Sequence, residues 1–214
     1  MFETRLNDSP ELFIKVCGLT RPADVAACLE MGVNATGFIF VPGSPREISV
    51  AKAGEMPMDD ALRIGVFSQS SAARVLQIAD RANLDYIQLH GGENTAYCKA
   101  IGPQKVIKVL WPETMSPAEL EASCSEFAPY CAAFLFDAGN SGGGSGKSFN
   151  WGILKKLSIP RPWILAGGLN AMNIKKATQE CDPRAIDLNS GVEIRPGIKN
   201  LELIKQIRAI FSKE

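Results

Sequence analysis

The stretch Ala185-Ile186-Asp187-Leu188-Asn189-Ser190-Gly191-Val192-Glu193 alternates apolar and polar side chains, then runs into a small-residue turn. Successive side chains on a strand point to opposite faces. Ile186 and Leu188 therefore share one face, and Asp187 and Asn189 the other. The same parity recurs upstream: Lys15 and Cys17 against Ile14 and Val16, Gln88 and His90 against Ile87 and Leu89, and Asp137 closing Phe134-Leu135-Phe136. An apolar face that packs on helices and a polar face that points inward fit a closed sheet.

Working outward, short apolar runs recur about every 20–25 residues, each followed by a segment with helical patterning. The spacing predicts strands at Leu12–Leu19, Thr36–Val41, Leu62–Phe67, Tyr86–His90, Lys105–Trp111, Ala132–Asp137, Trp163–Ala166 and Ala185–Asn189. Helices are predicted at about Pro22–Met31, Ala51–Glu55, Ala72–Ala82, Glu93–Ile101, Pro117–Phe127, Trp151–Leu157, Met172–Gln179 and Leu201–Phe211. Pro22 suits a first helical turn, Asn200 an N-cap, and Ser116-Pro117 both signals together. Gly54 and Pro57 weaken the second helix. Strict strand–helix alternation implies a parallel sheet covered by helices, and eight units favour a single (β/α)₈ barrel over a doubly wound sheet. The expected organisation is a barrel over residues 12–214 behind an N-terminal extension of residues 1–11.

Bulk composition narrows the function. The chain has 214 residues, 46% of them hydrophobic, and 23 basic side chains balance 23 acidic ones. Without a basic stripe, nucleic acid is not an expected partner. The charged start is no secretory signal, and no apolar run is long enough to span a bilayer, so the expected location is the cytoplasm. The six cysteines are scattered without a CxxC pair, which fits reduced thiols. With a single histidine, no metal site is expected. A monomer is the expected state, with a homodimer as the alternative, and no fused second enzyme is expected after the eighth unit.

Three strand ends are rich in glycine or small polar residues. The sixth strand is followed by residues 138–148, which include Gly142 and Gly144; the seventh gives Ala166-Gly167-Gly168-Leu169-Asn170, and the eighth Asn189-Ser190-Gly191. Glycine lets backbone amides approach an anion, and barrel phosphate sites are commonly built after strands seven and eight. The alternative is that these glycines only make tight turns. Gly146-Lys147-Ser148 imitates the end of a P-loop, but Ser141 stands where its first glycine belongs. A lid over the substrate is the better reading of that loop.

Cys17 ends the first strand, where a thiolate can act as nucleophile or base; a buried small apolar side chain is the plainer alternative. Asp137 ends an otherwise apolar strand, which should raise its pKa and suit it to general-acid work, although capping a loop would also explain it. Arg46, after Ser44-Pro45 at the same barrel end, can hold a carboxylate at two points or lie on the surface. His90 is either a substrate contact or a satisfied core histidine.

Together these residues resemble the phosphoribosylanthranilate isomerase family. The matching segments are Lys15-Val16-Cys17-Gly18-Leu19-Thr20, Gly37-Phe38-Ile39-Phe40 with Ser44-Pro45-Arg46, and Gln88-Leu89-His90-Gly91. Phe136-Asp137 with Gly146-Lys147-Ser148-Phe149, Ala166-Gly167-Gly168-Leu169, and Asn189-Ser190-Gly191-Val192-Glu193 with Pro196-Gly197 complete the match. The resemblance implies an Amadori rearrangement of N-(5-phosphoribosyl)anthranilate in tryptophan biosynthesis. In it Cys17 would be the general base, Asp137 the general acid, and Arg46 the partner of the anthranilate carboxylate. The phosphate would sit on amides around Gly168, Ser190 and Gly191 with help from Gly142 and Gly144, and Asp187, Asn189 and His90 would complete the substrate contacts. An iminium intermediate is its own electron sink, so no cofactor is implied. Asn150 and Asn189 depart from the residues common in the family, aspartate and serine respectively.

Other readings stay open at this point. A metal-dependent epimerase would want several histidines. An isomerase of an aminoimidazole carboxamide ribotide usually has aspartate where Cys17 stands. A silent phosphometabolite-binding barrel and a doubly wound nucleotide-binding protein are the readings from other classes.

Overall fold

Strand pairing runs in sequence order around a closed parallel barrel, and Phe13↔Ala185 through Val16↔Leu188 close it. The computed structural model describes residues 2–8, 11–137 and 150–211. The barrel strands are β1 (Phe13–Val16), β2 (Ala35–Ile39), β3 (Leu62–Phe67), β4 (Tyr86–Leu89), β5 (Val106–Leu110), β6 (Ala133–Phe136), β7 (Trp163–Leu165) and β8 (Ala185–Leu188). Each expected strand is present; most are trimmed at their ends, where polar residues already turn into the loops, and β2 starts at Ala35.

Helices α2 (Pro22–Glu30), α3 (Val50–Gly54), α4 (Ala72–Arg81), α5 (Thr95–Ile101), α6 (Pro117–Phe127), α7 (Ile174–Cys181) and α8 (Leu201–Phe211) surround the sheet. Their starts follow the capping chemistry of the sequence. Ser116 and Glu119 form a reciprocal capping box on α6, and Asn200 Oδ1 accepts the amides of Glu202 and Leu203 on α8. The sixth unit departs from expectation: residues 151–157 form a 3₁₀ segment, Trp151–Lys156, rather than an α-helix. Asn150 offers it no side-chain cap and Gly152 weakens it from inside, so tighter turns take over.

Side-chain parity sorts the core into two layers. Ile14, Val16, Phe38, Ile87, Leu89, Phe134, Ile186 and Leu188 pack outward among helix residues such as Val25, Ile78, Leu120 and Ile204. Phe13, Ile64, Tyr86, Ile107, Val109, Leu135, Ile164 and Ala185 fill the barrel itself. This second layer also holds Phe2 and Leu6 of α1 (Phe2–Asp8). The Phe2 ring meets Phe13 at 5.7 Å and the edge of Tyr86 at 5.1 Å. Because Phe13 and Tyr86 begin their strands, the N-terminal helix seals the floor of the barrel. That leaves the opposite, carboxyl rim for chemistry. A short hairpin, β9 (Glu193–Arg195) and β10 (Ile198–Lys199), follows β8 at this rim.

Candidate active site

The inward parity that alternation predicts brings four strand-end side chains to one rim. Cys17 follows β1, His90 follows β4, Asp137 follows β6 and Asn189 follows β8, while Asp187 sits within β8 one step below. Arg46 lies in the loop after β2, Gly168 after β7, and Ser190 and Gly191 after β8. Gly142, Gly144 and the expected lid lie outside the described residues.

Beneath the rim, a polar line crosses the barrel interior. Lys15 Nζ donates to Asp187 Oδ2 at 2.6 Å and to Gln88 Oε1 at 2.9 Å. Gln88 Nε2 in turn meets His90 Nδ1 at 3.3 Å, and His90 Nε2 lies 3.8 Å from Asp137 Oδ2. The line therefore joins the β8 and β1 side of the mouth, where Cys17 sits, to the β6 side, where Asp137 sits. Burial alone would lower the Lys15 pKa, but the Asp187 carboxylate outweighs it and keeps the ammonium charged. Burial, reinforced by the Lys15 charge, lowers His90 to about 4 and so leaves a neutral imidazole. Its ring packs edge-on against Trp111 at 5.5 Å. The second Asp187 oxygen, Oδ1, is buried with no hydrogen-bond partner among the described residues.

The sulfur of Cys17 is fitted against β2. A β-carbon on Gly37 would come within 2.7 Å of Sγ and 2.9 Å of the Cys17 Cα, so no larger residue can stand opposite the thiol. The Cys17 amide donates to Leu188 O at 2.8 Å, which anchors the residue where β1 leaves the sheet. Burial pushes the thiol pKa up, while the Lys15 ammonium within hydrogen-bonding reach pulls it down. A positive charge arriving above the sulfur would add to that pull.

Arg46 is not a loose surface arginine. Its Nε and Nη2 grip Glu193 at 3.0 and 2.7 Å, and its Cδ lies 2.7 Å from where a Gly18 β-carbon would be. Glu193 also accepts Lys199 Nζ at 2.8 Å and the Gly197 amide at 3.1 Å. Burial would raise its pKa, but these donors, Arg46 first among them, hold the carboxyl below the usual range.

The two glycine-rich turns interlock. Gly168 has φ +61° and open space where a side chain would project, whereas a β-carbon on Gly191 would collide with Leu169 O at 2.0 Å. Asn170 and Asn173 each donate to Gly168 O, at 3.1 and 3.0 Å, and Asn173 Oδ1 takes the Asn170 amide at 2.9 Å. Side-chain bonds thus fix the loop after β7 while the loop after β8 packs directly upon it. Sequence reasoning identified these glycines but gave no role to Lys15, Gln88, Gly37, Glu193 or Lys199. Inward parity flagged Lys15 and Gln88; nothing in the sequence signals that Lys199 folds back onto Glu193. Among the described residues, no three His, Cys, Asp or Glu side chains cluster as a metal site.

A closed (β/α)₈ barrel with a thiol, carboxylates and an anchored guanidinium at its carboxyl rim defines a barrel enzyme. The family model for N-(5'phosphoribosyl)anthranilate (PRA) isomerase matches residues 14–209. The N-(5'-phosphoribosyl)anthranilate isomerase of Maridesulfovibrio salexigens is 46% identical over 189 residues, covering 88% of this chain and 92% of that protein. The crystal structure of the Thermotoga maritima phosphoribosyl anthranilate isomerase superposes with a TM-score of 0.82 at 31% identity, covering 91% of this chain and 96% of that one. A structure of a phosphoribosyl anthranilate isomerase complexed with reduced 1-(o-carboxyphenylamino)-1-deoxyribulose 5-phosphate has a TM-score of 0.77 at 30% identity, covering 92% of this chain and 96% of that one. The chain belongs to the phosphoribosylanthranilate isomerase family. The doubly wound alternative is overturned by the closed barrel.

Proposed function

We propose that this chain isomerises N-(5'-phosphoribosyl)anthranilate to 1-(2-carboxyphenylamino)-1-deoxyribulose 5-phosphate in tryptophan biosynthesis. The observation that carries the reading is the polar line from Asp187 and Lys15 through Gln88 to His90 and Asp137, with the Cys17 thiol beside its first member. It supports an acid and a base acting on opposite sides of one small sugar.

In this mechanism Asp137 protonates the furanose ring oxygen, the C1′–O bond breaks, and an iminium forms at C1′. The Cys17 thiolate then removes the C2′ proton, and the electron pair moves into the C1′–C2′ bond to give an enolamine. The iminium charge and the Lys15 ammonium both favour the thiolate at this step. Ketonisation delivers a proton to C1′ and releases the C2′ hydroxyl proton, which returns the thiol and the carboxylate to their starting forms. Neutral His90 can donate or accept a hydrogen bond beside Asp137 without adding charge. Asp187 Oδ1, without a partner among the described residues, suits a sugar hydroxyl.

The amides around Gly168, Ser190 and Gly191, with Asn189 beside them, would take the phosphate, helped by Gly142 and Gly144, and Arg46 the aryl carboxylate. No cofactor enters this scheme, because the iminium stores the electrons. The catalytic domain is residues 12–214, with residues 1–11 an N-terminal extension whose helix α1 caps the floor. One chain supplies every residue named, so a monomer suffices; its place is the cytoplasm, and nucleic acid and membrane are not partners. The test is direct: mix purified protein with freshly generated phosphoribosylanthranilate and follow substrate fluorescence. Enzyme-dependent loss of signal is expected; a trace identical to the enzyme-free control overturns the reading.

A further inference from the structure

The ion cluster around Glu193 has an arrangement that simple anchoring of a loop does not require. Glu193 meets Arg46 through the Nε–Nη2 edge alone, with Nε 3.0 Å from each carboxylate oxygen and Nη2 2.7 Å from Oε2. Among the described residues the Nη1–Nη2 edge makes no hydrogen bond, and the Arg46 side chain retains 19% exposure. A guanidinium offers donors along more than one edge, so a second planar carboxylate can still be held at two points.

Arg46 paired with Glu193 alone would be a neutral couple with little attraction for another anion. Lys199 changes that balance. Its Nζ is fully buried and donates to Glu193 Oε1 at 2.8 Å, Asn189 Oδ1 at 3.1 Å and the Asn189 carbonyl at 3.3 Å. All three ammonium hydrogens therefore have acceptors inside the protein, and this lysine has none left for a ligand. Two cations against one anion leave the cluster with one net positive charge. Arg46 is the member of this cluster that reaches solvent most.

We propose that Glu193 and Lys199, brought together by the β9–β10 hairpin, are positioning residues that set selectivity for a carboxylated aryl amine. Glu193 fixes the orientation of Arg46, and Lys199 cancels the Glu193 charge so that the guanidinium keeps its pull on the substrate carboxylate. Asn189, on the third side of the ammonium, ties this cluster to the loop after β8. The inference rests on the isomerase reading above and names how the aryl end of that substrate is chosen.

The experiment compares kcat/KM for phosphoribosylanthranilate with that for its carboxylate-free analogue, phosphoribosylaniline. Wild type is expected to prefer the carboxylated substrate. Lys199→Met should cut that preference by about tenfold or more, through KM for the carboxylated substrate, while turnover of the aniline analogue stays within a few-fold. The double variant Glu193→Gln/Lys199→Met restores one net positive charge and should regain most of the preference. An equal loss for both substrates in Lys199→Met, or an unchanged ratio, overturns the proposal. Should Lys199→Met fail to fold, Lys199→Gln, which removes the charge but keeps a polar side chain beside Glu193 and Asn189, carries the test: a fallen preference supports the proposal, and an unchanged preference overturns it. Wild type inert towards both substrates would instead sink the isomerase reading itself.

Discussion

The Lys15 ammonium stands 2.6 Å from the Asp187 carboxylate, and the lysine is wholly buried beneath the mouth of the barrel. Register puts them there, because Lys15 is paired directly with Asp187 where β1 closes on β8. Removing one partner of a buried ion pair leaves an uncompensated charge. Lys15→Met should therefore destabilise the fold by about 3–5 kcal/mol, read from its urea midpoint. Burial pushes the Asp187 pKa up, and Lys15 is the main force opposing it. A carboxyl with a folded pKa above its unfolded one binds its proton more tightly when folded, so stability recovers as pH falls through that range. The Lys15→Met deficit should be largest at neutral pH and shrink in mildly acidic buffer. An equal deficit in both would contradict an unpaired Asp187.

Cys17→Ser and Asp137→Asn should each lower turnover by roughly 10²–10⁴ with the fold retained. Since burial raises the Cys17 thiol, wild-type kcat/KM should climb as pH rises above neutral, as the thiolate fraction grows. Near-normal turnover in either purified variant removes that residue from its role, and a flat alkaline profile argues against a thiolate base.

The chain has one histidine, which makes its titration visible without assignment. The imidazole proton resonances of His90 should titrate with a midpoint of about 4, held low by burial and by Lys15. A midpoint at the ordinary histidine value would mean that the imidazole is solvated and not part of the buried line.

Gly37→Ala tests the fit of the thiol. The new methyl would lie 2.7 Å from Cys17 Sγ, so the sulfur must move. Overpacking of this sort costs about 1–3 kcal/mol of stability. The larger effect should be on kcat, because a base displaced by a fraction of an ångström loses its line to the substrate. Unchanged kcat would show that the position of the sulfur is not critical.

Phe2→Ala should separate the two ends of the barrel. Phe2 is 2% exposed and packs on Phe13 and Tyr86 at the floor, so truncation should cost about 3 kcal/mol. Activity per folded molecule should stay at the wild-type level, because the proposed acid and base are at the far rim. A fall in kcat with little change in melting temperature would reverse that division.

Much of this site was legible before any coordinates. Period-two alternation in residues 14–17, 87–90 and 186–189 fixes which side chains face inward, and the glycines after the seventh and eighth strands mark the turns proposed to take the phosphate. What escaped were contacts between residues far apart in the chain. Residues 46, 193 and 199 meet only because the loop after β2 and the β9–β10 hairpin share a rim. Gly37 matters because β2 lies beside β1. Residues 151–157 kept an apolar pattern that reads as a helix, yet short length and an uncapped start tipped them into 3₁₀ turns.

By itself, the sequence determined the number of strand–helix units, the inward or outward facing of each strand residue, and the end of the barrel at which polar groups collect. These follow from local periodicity, which depends only on neighbours along the chain. Tertiary structure alone decided that Lys15 serves Asp187, that Lys199 neutralises Glu193, and that the N-terminal helix plugs the floor. Each of those depends on register and closure, and charges brought together out of water interact with a strength no linear spacing reveals.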